Sequence, residues 1–202
     1  MYEDFTMTFK FSPVRSYAWF LTAIVVCFLV GSCIFSPKEG KKDNPTDNGA
    51  FEDPVTPQKV IENLKVSFSH LEVDWYEKCL HENFFWESPS KTDELDVRWS
   101  RSEELHVIDR LMQDCTAFIF SAHEISSYEE WGSNMDPLPD GAIVSEDHPN
   151  EIWYVYNYTI DMDIFTRTYG DFKVHQDMQF KMVKDSNTKL YSIIRWIDIT
   201  PE

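Results

Sequence analysis

The clearest alternation of apolar and polar side chains runs from Phe172 to Lys184. Every second residue at its start is apolar, and Gln176 is the single polar residue on the apolar face. A period of two predicts a strand with one buried face and one face in water. Two further strand-like segments, Glu151–Thr166 and Lys189–Ile199, flank it across short turn sequences. The three segments therefore predict an antiparallel meander.

The first half of the domain carries a helical pattern instead. Apolar residues recur every three or four positions after Thr56 and Pro57, a capping hydroxyl followed by a proline at the first helical position. Asp74 precedes a short second helix, and Ser100 with Glu103 forms a capping box before a third. Additional strands are predicted at residues 83–87, 116–126 and 142–144. Helices that precede most of the strands indicate an α+β domain.

The N-terminal region contains an uncharged apolar run, Trp19–Phe35, behind a short segment with basic residues. This order is typical of an export signal. The residues Val30–Cys33 resemble a bacterial lipobox, which implies that Cys33 is acylated and becomes the first residue of the mature protein. We expect residues 1–32 to be a lipoprotein signal peptide. An ordinary cleaved signal peptide and an uncleaved anchor are the alternatives, although an anchor requires about 20 apolar residues.

Residues 33–54 combine glycine, proline and charged residues with few apolar ones, which predicts a flexible tether. Residues 55–202 suit one domain with one core. The net charge of -17 opposes binding to nucleic acid or to anionic lipid. We therefore expect a membrane-anchored protein of the cell envelope, held by its lipid on the periplasmic or extracellular side.

The reactive side chains form no recognisable cofactor or metal motif. Cys79 and Cys115 are the two cysteines of the predicted domain, and a disulfide and two buried free thiols are both compatible with the sequence. The six histidines lie on different elements without zinc-ligand spacing, and the six glycines form no phosphate-binding loop. We expect no metal and no cofactor.

The order of helices and strands resembles the cystatin-like fold of the NTF2-like superfamily, which includes the ketosteroid isomerase and SnoaL-like groups. The resemblance covers about residues 55–200. It implies about three N-terminal helices packed on a strongly curved antiparallel sheet, which encloses a conical pocket. At the level of residues, Ser69–Pro89 aligns without gaps with the isomerase segment that ends in Glu-Asp-Pro.

The catalytic residues of the isomerases are not carried over to this chain. The position of the family's catalytic aspartate is Ser88, whose hydroxyl is too weakly basic to remove a carbon-bound proton. The position of the oxyanion-stabilising tyrosine is Leu64, which has no proton to donate. Glu87 is adjacent to Ser88 but is expected on the opposite face of the strand. The resemblance therefore implies a fold without the isomerase chemistry.

The aromatic side chains of the strands are the best candidates for a site. Core packing accounts for most aromatic residues at such spacing, and an aromatic-lined pocket with a few polar groups is the alternative. The candidate pocket residues are Trp86, Tyr154, Tyr156, Tyr158, Gln176 and Trp196.

We expect a non-catalytic domain that binds a small apolar ligand or a protein partner. One alternative is a SnoaL-like isomerase, dehydratase or hydrolase that uses pocket acids not identified from the sequence. Another is an assembly module that forms a homodimer through the open face of the sheet. Exposed side chains at Trp153, Val155 and Ile197 would favour the dimer.

Overall fold

The computed structural model describes residues 49–88 and 97–200. The predicted signal peptide, Cys33 and most of the predicted tether lie outside these residues. The helices are α1 (Pro57–His70), α2 (Val73–Cys79) and α3 (Arg101–Asp114). The strands are β1 (Leu80–Ser88), β2 (Val97–Ser100), β3 (Cys115–Gly132), β4 (Ile143–Ser145), β5 (Ile152–Thr166), β6 (Asp171–Lys184) and β7 (Tyr191–Asp198). None of the described helices has the length and apolarity needed to cross a bilayer.

The helices begin at capping residues. Thr56 accepts a hydrogen bond on its side chain from the Lys59 backbone at 3.2 Å, and Pro57 follows at the first helical position. The backbone N–H of Ser100 donates to the Glu103 carboxylate at 2.8 Å, which is half of the predicted capping box of α3. These contacts satisfy amide groups that have no partner inside a helix.

The seven strands form one strongly curved sheet in the order β2-β1-β7-β6-β5-β3-β4. The meander β5-β6-β7 is antiparallel, as the short turns between its strands predict. The complete sheet is mixed, because β1 pairs in parallel with β7 and β3 pairs in parallel with β4. After β1 the chain passes through the other strands before it returns beside β1 as β7. The predicted α+β architecture of three helices on a curved sheet is confirmed.

The core lies between α1 and the concave face of the sheet. The ring of Phe68 contacts the rings of Phe118 and Phe120, at centroid distances of 4.4 and 5.3 Å. Val60 and Leu64 on the same helix are fully buried. Full burial of such a side chain contributes about 1.5–3 kcal/mol. The apolar face of α1 therefore fixes the helix across the sheet.

Residues before α1 also pack on the domain. Glu52 and Asn63 exchange two hydrogen bonds between backbone and side-chain amide, at 3.2 and 2.6 Å. The N–H of Tyr191 donates to the carbonyl of Pro54 at 2.8 Å. These contacts place the N-terminus of α1 beside β7 and so help to form the site described below.

Cys79 and Cys115 are free, buried thiols. Burial raises the pKa of Cys79 to about 12 and that of Cys115 to about 11. Both groups are protonated at neutral pH and behave as small apolar side chains. Of the two alternatives compatible with the sequence, the structure contains the pair of free thiols.

Candidate ligand-binding site

An aromatic row crosses the concave face of the sheet. The register aligns Trp86 with Trp99 and with Trp196, then Trp196 with Phe180, and Phe180 with Tyr156. Neighbouring rings are in contact, since Trp86 stacks on Trp99 at 4.7 Å and Phe180 lies 4.7 Å from Trp196. Offset and tilted aromatic pairs of this kind contribute about 0.5–1.5 kcal/mol beyond their buried area. The row is therefore first of all part of the core.

Trp196 leaves one hydrogen-bond donor unsatisfied. Its indole Nε1 is buried and has no partner among the described residues. An unpaired buried donor costs about 1–3 kcal/mol. The middle of the aromatic row thus contains an indole N–H group that is buried without a hydrogen-bond acceptor.

At the β5 end of the row the packing opens into a cavity of about 270 Å³, which we name the tyrosine cleft. It lies between the N-terminus of α1 and strands β3 and β5. Its lining residues are Pro57, Ser127, Tyr128, Glu129, Tyr154 and Tyr156. Two of the six residues predicted for the pocket line this cleft, and its size is close to the lower limit of small-molecule sites.

The tyrosine hydroxyl groups at the cleft are held in defined positions. Gln58 donates a hydrogen bond from Nε2 to the hydroxyl oxygen of Tyr156 at 3.2 Å. The ring of Tyr154 meets that of Tyr191 edge to face at 5.1 Å. Tyr158 lies beside Tyr156, with ring centroids 6.3 Å apart. Helix α1 and strand β7 thus fix the orientation of the rings.

All three tyrosine hydroxyls of β5 are protonated at neutral pH. Burial, and then a hydrogen bond with Tyr191, raises the pKa of Tyr154 to about 12. Burial also raises the pKa of Tyr156 and Tyr158, with a further contribution from the charge of Glu124. Groups with such pKa values are hydrogen-bond donors and are poor general bases at pH 7. Their chemistry favours holding a ligand over transferring a proton.

The other predicted pocket residues lie outside the cleft. Tyr158 and Trp196 are buried in the core. Trp86 belongs to the opposite end of the row, about 14 Å from Tyr156, since β1 and β5 are three strand spacings apart. Gln176 is half-buried opposite Ile160, four residues along β6 from Phe180. The structure thus brings five of the six residues into one aromatic cluster and only Tyr154 and Tyr156 into the cleft.

Three polar residues at or near the cleft are not among the pocket residues predicted from the sequence. Glu124, Ser127 and Glu129 lie opposite Tyr158, Tyr156 and Tyr154 respectively. Simple alternation along β3 places Glu124 on one face and the other two on the opposite face. The register shift between Glu124 and Ser126 adds one residue to the strand and brings all three to the same face. The interrupted alternation of residues 123–130 is the only sequence signal for this arrangement.

The positions that align with the isomerase residues have structural surroundings in this chain. Leu64 is completely buried in the core. Ser88 ends β1 opposite Val97. The carboxylate of Glu87 is paired with Arg98 at 3.1 Å and with Arg195 at 3.6 Å. Glu87 is therefore part of an ion-pair network on the convex face, away from the aromatic row.

The convex face of the sheet is covered by its own side chains. Trp153 and Val155 are 5% and 0% exposed. His148 stacks on Trp153 at 4.1 Å, and the Arg195 guanidinium lies 5.3 Å from the centre of the same ring. Further along, hydrogen-bonded pairs cross the strands, including Thr159 with Asp177 at 2.7 Å. Two of the three side chains whose exposure would favour a dimer are thus inaccessible.

A second groove of about 530 Å³ lies beyond Tyr154, at the turn between β6 and β7. Its lining combines the cations Lys184 and Lys189 with the anions Glu151 and Asp185. Ligand sites are mostly apolar with a few convergent polar groups. The mixed charges of turn residues fit this description less well than the tyrosine cleft does. Within residues 49–88 and 97–200, no group of three or more potential metal ligands is clustered.

The chain matches no known protein family and no curated protein. Among solved structures it is similar to a conserved protein from Planctomyces limnophilus, with a TM-score of 0.50 and 7% identity over 71% of this chain and 94% of that chain. It is also similar to a ketosteroid isomerase-like protein from Erwinia carotovora atroseptica (TM-score 0.46, 9% identity, 71% and 94% covered). An NTF2-like superfamily protein from Salmonella enterica serovar Typhimurium has a TM-score of 0.48 and 9% identity, with 71% and 87% covered.

The fold is the NTF2-like α+β cone, which confirms the resemblance seen in the sequence. At identities of 7% and 9%, the likeness concerns the fold alone. The same fold supports many unrelated activities. The function of this chain therefore depends on the side chains of its own site.

Proposed function

We propose that this protein is a cell-envelope lipoprotein whose NTF2-like domain binds a small molecule in the tyrosine cleft without converting it. The observation that carries the proposal is the cleft itself. Three tyrosines, a serine, a glutamate and a proline line a cavity of about 270 Å³. Such a combination of aromatic surface with a few polar groups is typical of small-molecule sites.

The non-catalytic part of the proposal rests on the chemistry of the side chains. Ser88 and Leu64 replace the residues that the isomerases use. The tyrosine hydroxyls are protonated, because burial raises their pKa values. In the described residues, Cys79 and Cys115 are buried and protonated, so they are poor nucleophiles.

A screen by thermal unfolding tests ligand binding. The full chain is heated with a panel of neutral, anionic and cationic fragments. At about 100 times its dissociation constant, a ligand that binds only the folded state adds about 2.7 kcal/mol of stability. We expect at least one fragment class to raise the melting temperature, and a panel without any effect would refute the proposal.

Two matched variants locate the binding. Ser127→Leu adds a large side chain to the lining of the cleft and should abolish the ligand effect. Ser126→Leu adds the same side chain one residue away, on the convex face where Ser126 contacts Asn157, and should leave the ligand effect intact. Equal loss of binding in both variants would place the site elsewhere.

The second candidate is an enzyme of the SnoaL-like type, and Glu129 favours it as a carboxylate within the cleft beside hydroxyl groups. An enzyme that uses Glu129 as general base loses turnover in Glu129→Gln, typically by about 100-fold or more. Neutral substrates should still bind to that variant. Turnover of any fragment found in the screen, measured before and after the substitution, separates the two functions.

The membrane attachment is proposed from the leader alone. Lipid labelling of the cells should mark the wild-type protein and not Cys33→Ser. Unchanged labelling of Cys33→Ser would refute the lipoprotein assignment. Because residues 51–54 pack on the domain, about 16 residues, 33–48, would remain as a tether. Such a length can span up to several nanometres, so the domain would work away from the bilayer surface.

A further inference from the structure

The tyrosine cleft has an electrostatic preference of its own. Glu129 lines the cavity and lies opposite Tyr154 on the neighbouring strand. Glu124 is close by, because Ser127 donates a hydrogen bond to its carboxylate at 2.9 Å and the hydroxyl of Tyr158 lies 3.4 Å from it. Glu129 thus lies opposite Tyr154 and Glu124 opposite Tyr158, on either side of Tyr156 along β5.

Within residues 49–88 and 97–200, no cation neutralises either carboxylate. Among the described residues, no lysine, arginine or histidine forms an ion pair with Glu124 or Glu129. On the convex face the arrangement is different, since Lys181 neutralises Glu130 at 2.9 Å and Arg98 neutralises Glu87 at 3.1 Å. Glu124 and Glu129 therefore differ from Glu87 and Glu130, whose charges are neutralised by neighbouring cations.

The N-terminus of α1 also lies at the cavity, since Pro57 is one of its lining residues. Its effect on the charge of a bound ligand is opposite to that of the carboxylates. A helix N-terminus is equivalent to about half a positive elementary charge and by itself favours an anion. Two full carboxylate charges exceed it. The net charge of -17 for the whole chain adds a long-range attraction for cations. The two carboxylates therefore outweigh the helix terminus on the β3 side of the cleft, whereas Lys184 lies 5.1 Å from the centre of the Tyr191 ring on the other side of Tyr154.

We propose that the tyrosine cleft binds a small organic cation, such as an alkylated ammonium group. The inference rests on the proposed small-molecule function and adds the chemical class of the ligand. The faces of Tyr154 and Tyr156 attract such a cation through their ring quadrupoles, and Glu129 supplies the counter-charge. The volume of about 270 Å³ suits a compact head group, since it lies below the usual range for drug-sized ligands.

The test compares two probes of nearly the same shape. Choline carries a trimethylammonium group, and 3,3-dimethylbutan-1-ol carries the neutral carbon analogue. Binding to the full chain is measured by isothermal titration calorimetry at low salt. We expect choline to bind at least about tenfold more tightly than the neutral analogue. The preference should decrease when salt is raised, because the cleft is partly open to solvent.

Two variants separate a specific site from general attraction to an acidic protein. Glu129→Gln should weaken choline binding several-fold and leave the folded state intact, because Glu129 is exposed. Glu82→Gln removes one charge from β1, which β7 and β6 separate from β5, and should leave choline binding unchanged. Equal weakening in both variants would overturn the proposal.

The outcomes also separate the cation preference from the small-molecule function. If the neutral analogue binds as tightly as choline and Ser127→Leu abolishes both, the cation preference is wrong and the small-molecule site remains. If choline shows no binding at millimolar concentration, the cation proposal is overturned, and the fragment screen alone decides the small-molecule function.

Discussion

Tyr76 donates a hydrogen bond of 2.6 Å from its hydroxyl group to the carboxylate of Glu104 inside the core. The pair joins α2 to α3, and both side chains are buried. Burial raises the pKa of Glu104, although the hydrogen bond from Tyr76 acts against this shift. A buried carboxyl group is a candidate for catalysis in many folds. Here it does not line the tyrosine cleft, and its role is to connect two helices.

The first prediction concerns this pair. Tyr76→Phe should reduce the free energy of unfolding by about 1–3 kcal/mol, because the buried carboxylate loses its hydrogen-bond donor. Chemical denaturation followed by circular dichroism measures the change. A loss below about 0.5 kcal/mol, the usual size of a surface substitution, would show that the hydrogen bond is not formed.

The pH dependence of the pair has a defined sign. The pKa of Glu104 in the folded state lies above its ordinary value of 4.5. The stabilisation from its protonation is therefore complete below pH 4.5 and is lost as the pH rises through the folded-state pKa. Glu104→Gln has no such loss. The stability of this variant relative to wild type should increase as the pH rises from 4.5 to neutrality, and a constant difference would contradict the assignment.

The second prediction concerns the thiols. Because burial raises the pKa of both Cys79 and Cys115, neither should react with a thiol reagent at about pH 8 in the folded protein. Both should react after unfolding in urea. Mass spectrometry of labelled peptides identifies each cysteine. Recovery of a peptide in which Cys79 and Cys115 are linked by a disulfide would contradict the structure.

The third prediction concerns close backbone packing at Gly132. A Cβ atom added there would lie 2.3 Å from the carbonyl oxygen of His148 and 2.4 Å from Pro149. Gly132→Ala must therefore displace the segment that places His148 on Trp153, at a cost of about 1–3 kcal/mol or more. The melting temperature and the near-ultraviolet circular dichroism of Trp153 report the change.

Gly170→Ala is the matched control. Gly170 has a φ of +87°, and no atom lies within 4 Å of the position that a Cβ would take. Alanine at this position should reduce the free energy of unfolding by only about 1 kcal/mol, because a positive φ is unfavourable for a residue with a Cβ atom. If Gly132→Ala were as stable as Gly170→Ala, the close approach to His148 would be disproved.

The fourth prediction concerns the ion pair of Lys181 with Glu130. Its atoms are 2.9 Å apart, and the side chains are only 16% and 11% exposed. Lys181→Met should cost about 3–5 kcal/mol, because it leaves a nearly buried carboxylate with only His148 Nε2, at 3.4 Å, beside it. Adding Glu130→Gln should recover much of this loss. Equilibrium unfolding of the single and double variants gives the coupling free energy.

Lys173→Met provides the comparison on the same strand. Lys173 pairs with Asp163 at 2.7 Å, but its side chain is 83% exposed. Solvent screening limits such a pair to less than about 1 kcal/mol. Similar losses for Lys173→Met and Lys181→Met would mean that burial does not control the strength of these ion pairs.

Much of the fold is predictable because local signals agree with tertiary packing. The Thr56–Pro57 start of α1, the Ser100–Glu103 capping box and the alternation of Phe172–Lys184 each correspond to an observed element. Strand β2 is not predictable in this way. Its four residues alternate between apolar and polar, but the run is short and ends at the Ser100 cap of α3. Pairing with β1 decides their conformation.

The site is less predictable than the fold. Aromatic density correctly indicates the concave face, but the sequence does not separate Tyr156, which lines the cleft, from Trp196, which is buried in the core. That distinction depends on where α1 crosses the sheet. The position of Glu129 depends on a register shift in β3, which is a consequence of pairing with β5 and not of composition.

Ligand-observed saturation-transfer NMR on the full chain tests the central claim most directly. Fragments that bind wild type are measured again with Tyr156→Leu and with Trp86→Leu, two substitutions at opposite ends of one aromatic row. We predict that Tyr156→Leu abolishes the signal and that Trp86→Leu preserves it. A signal that survives Tyr156→Leu but disappears in Trp86→Leu would contradict the assignment of the tyrosine cleft as the binding site.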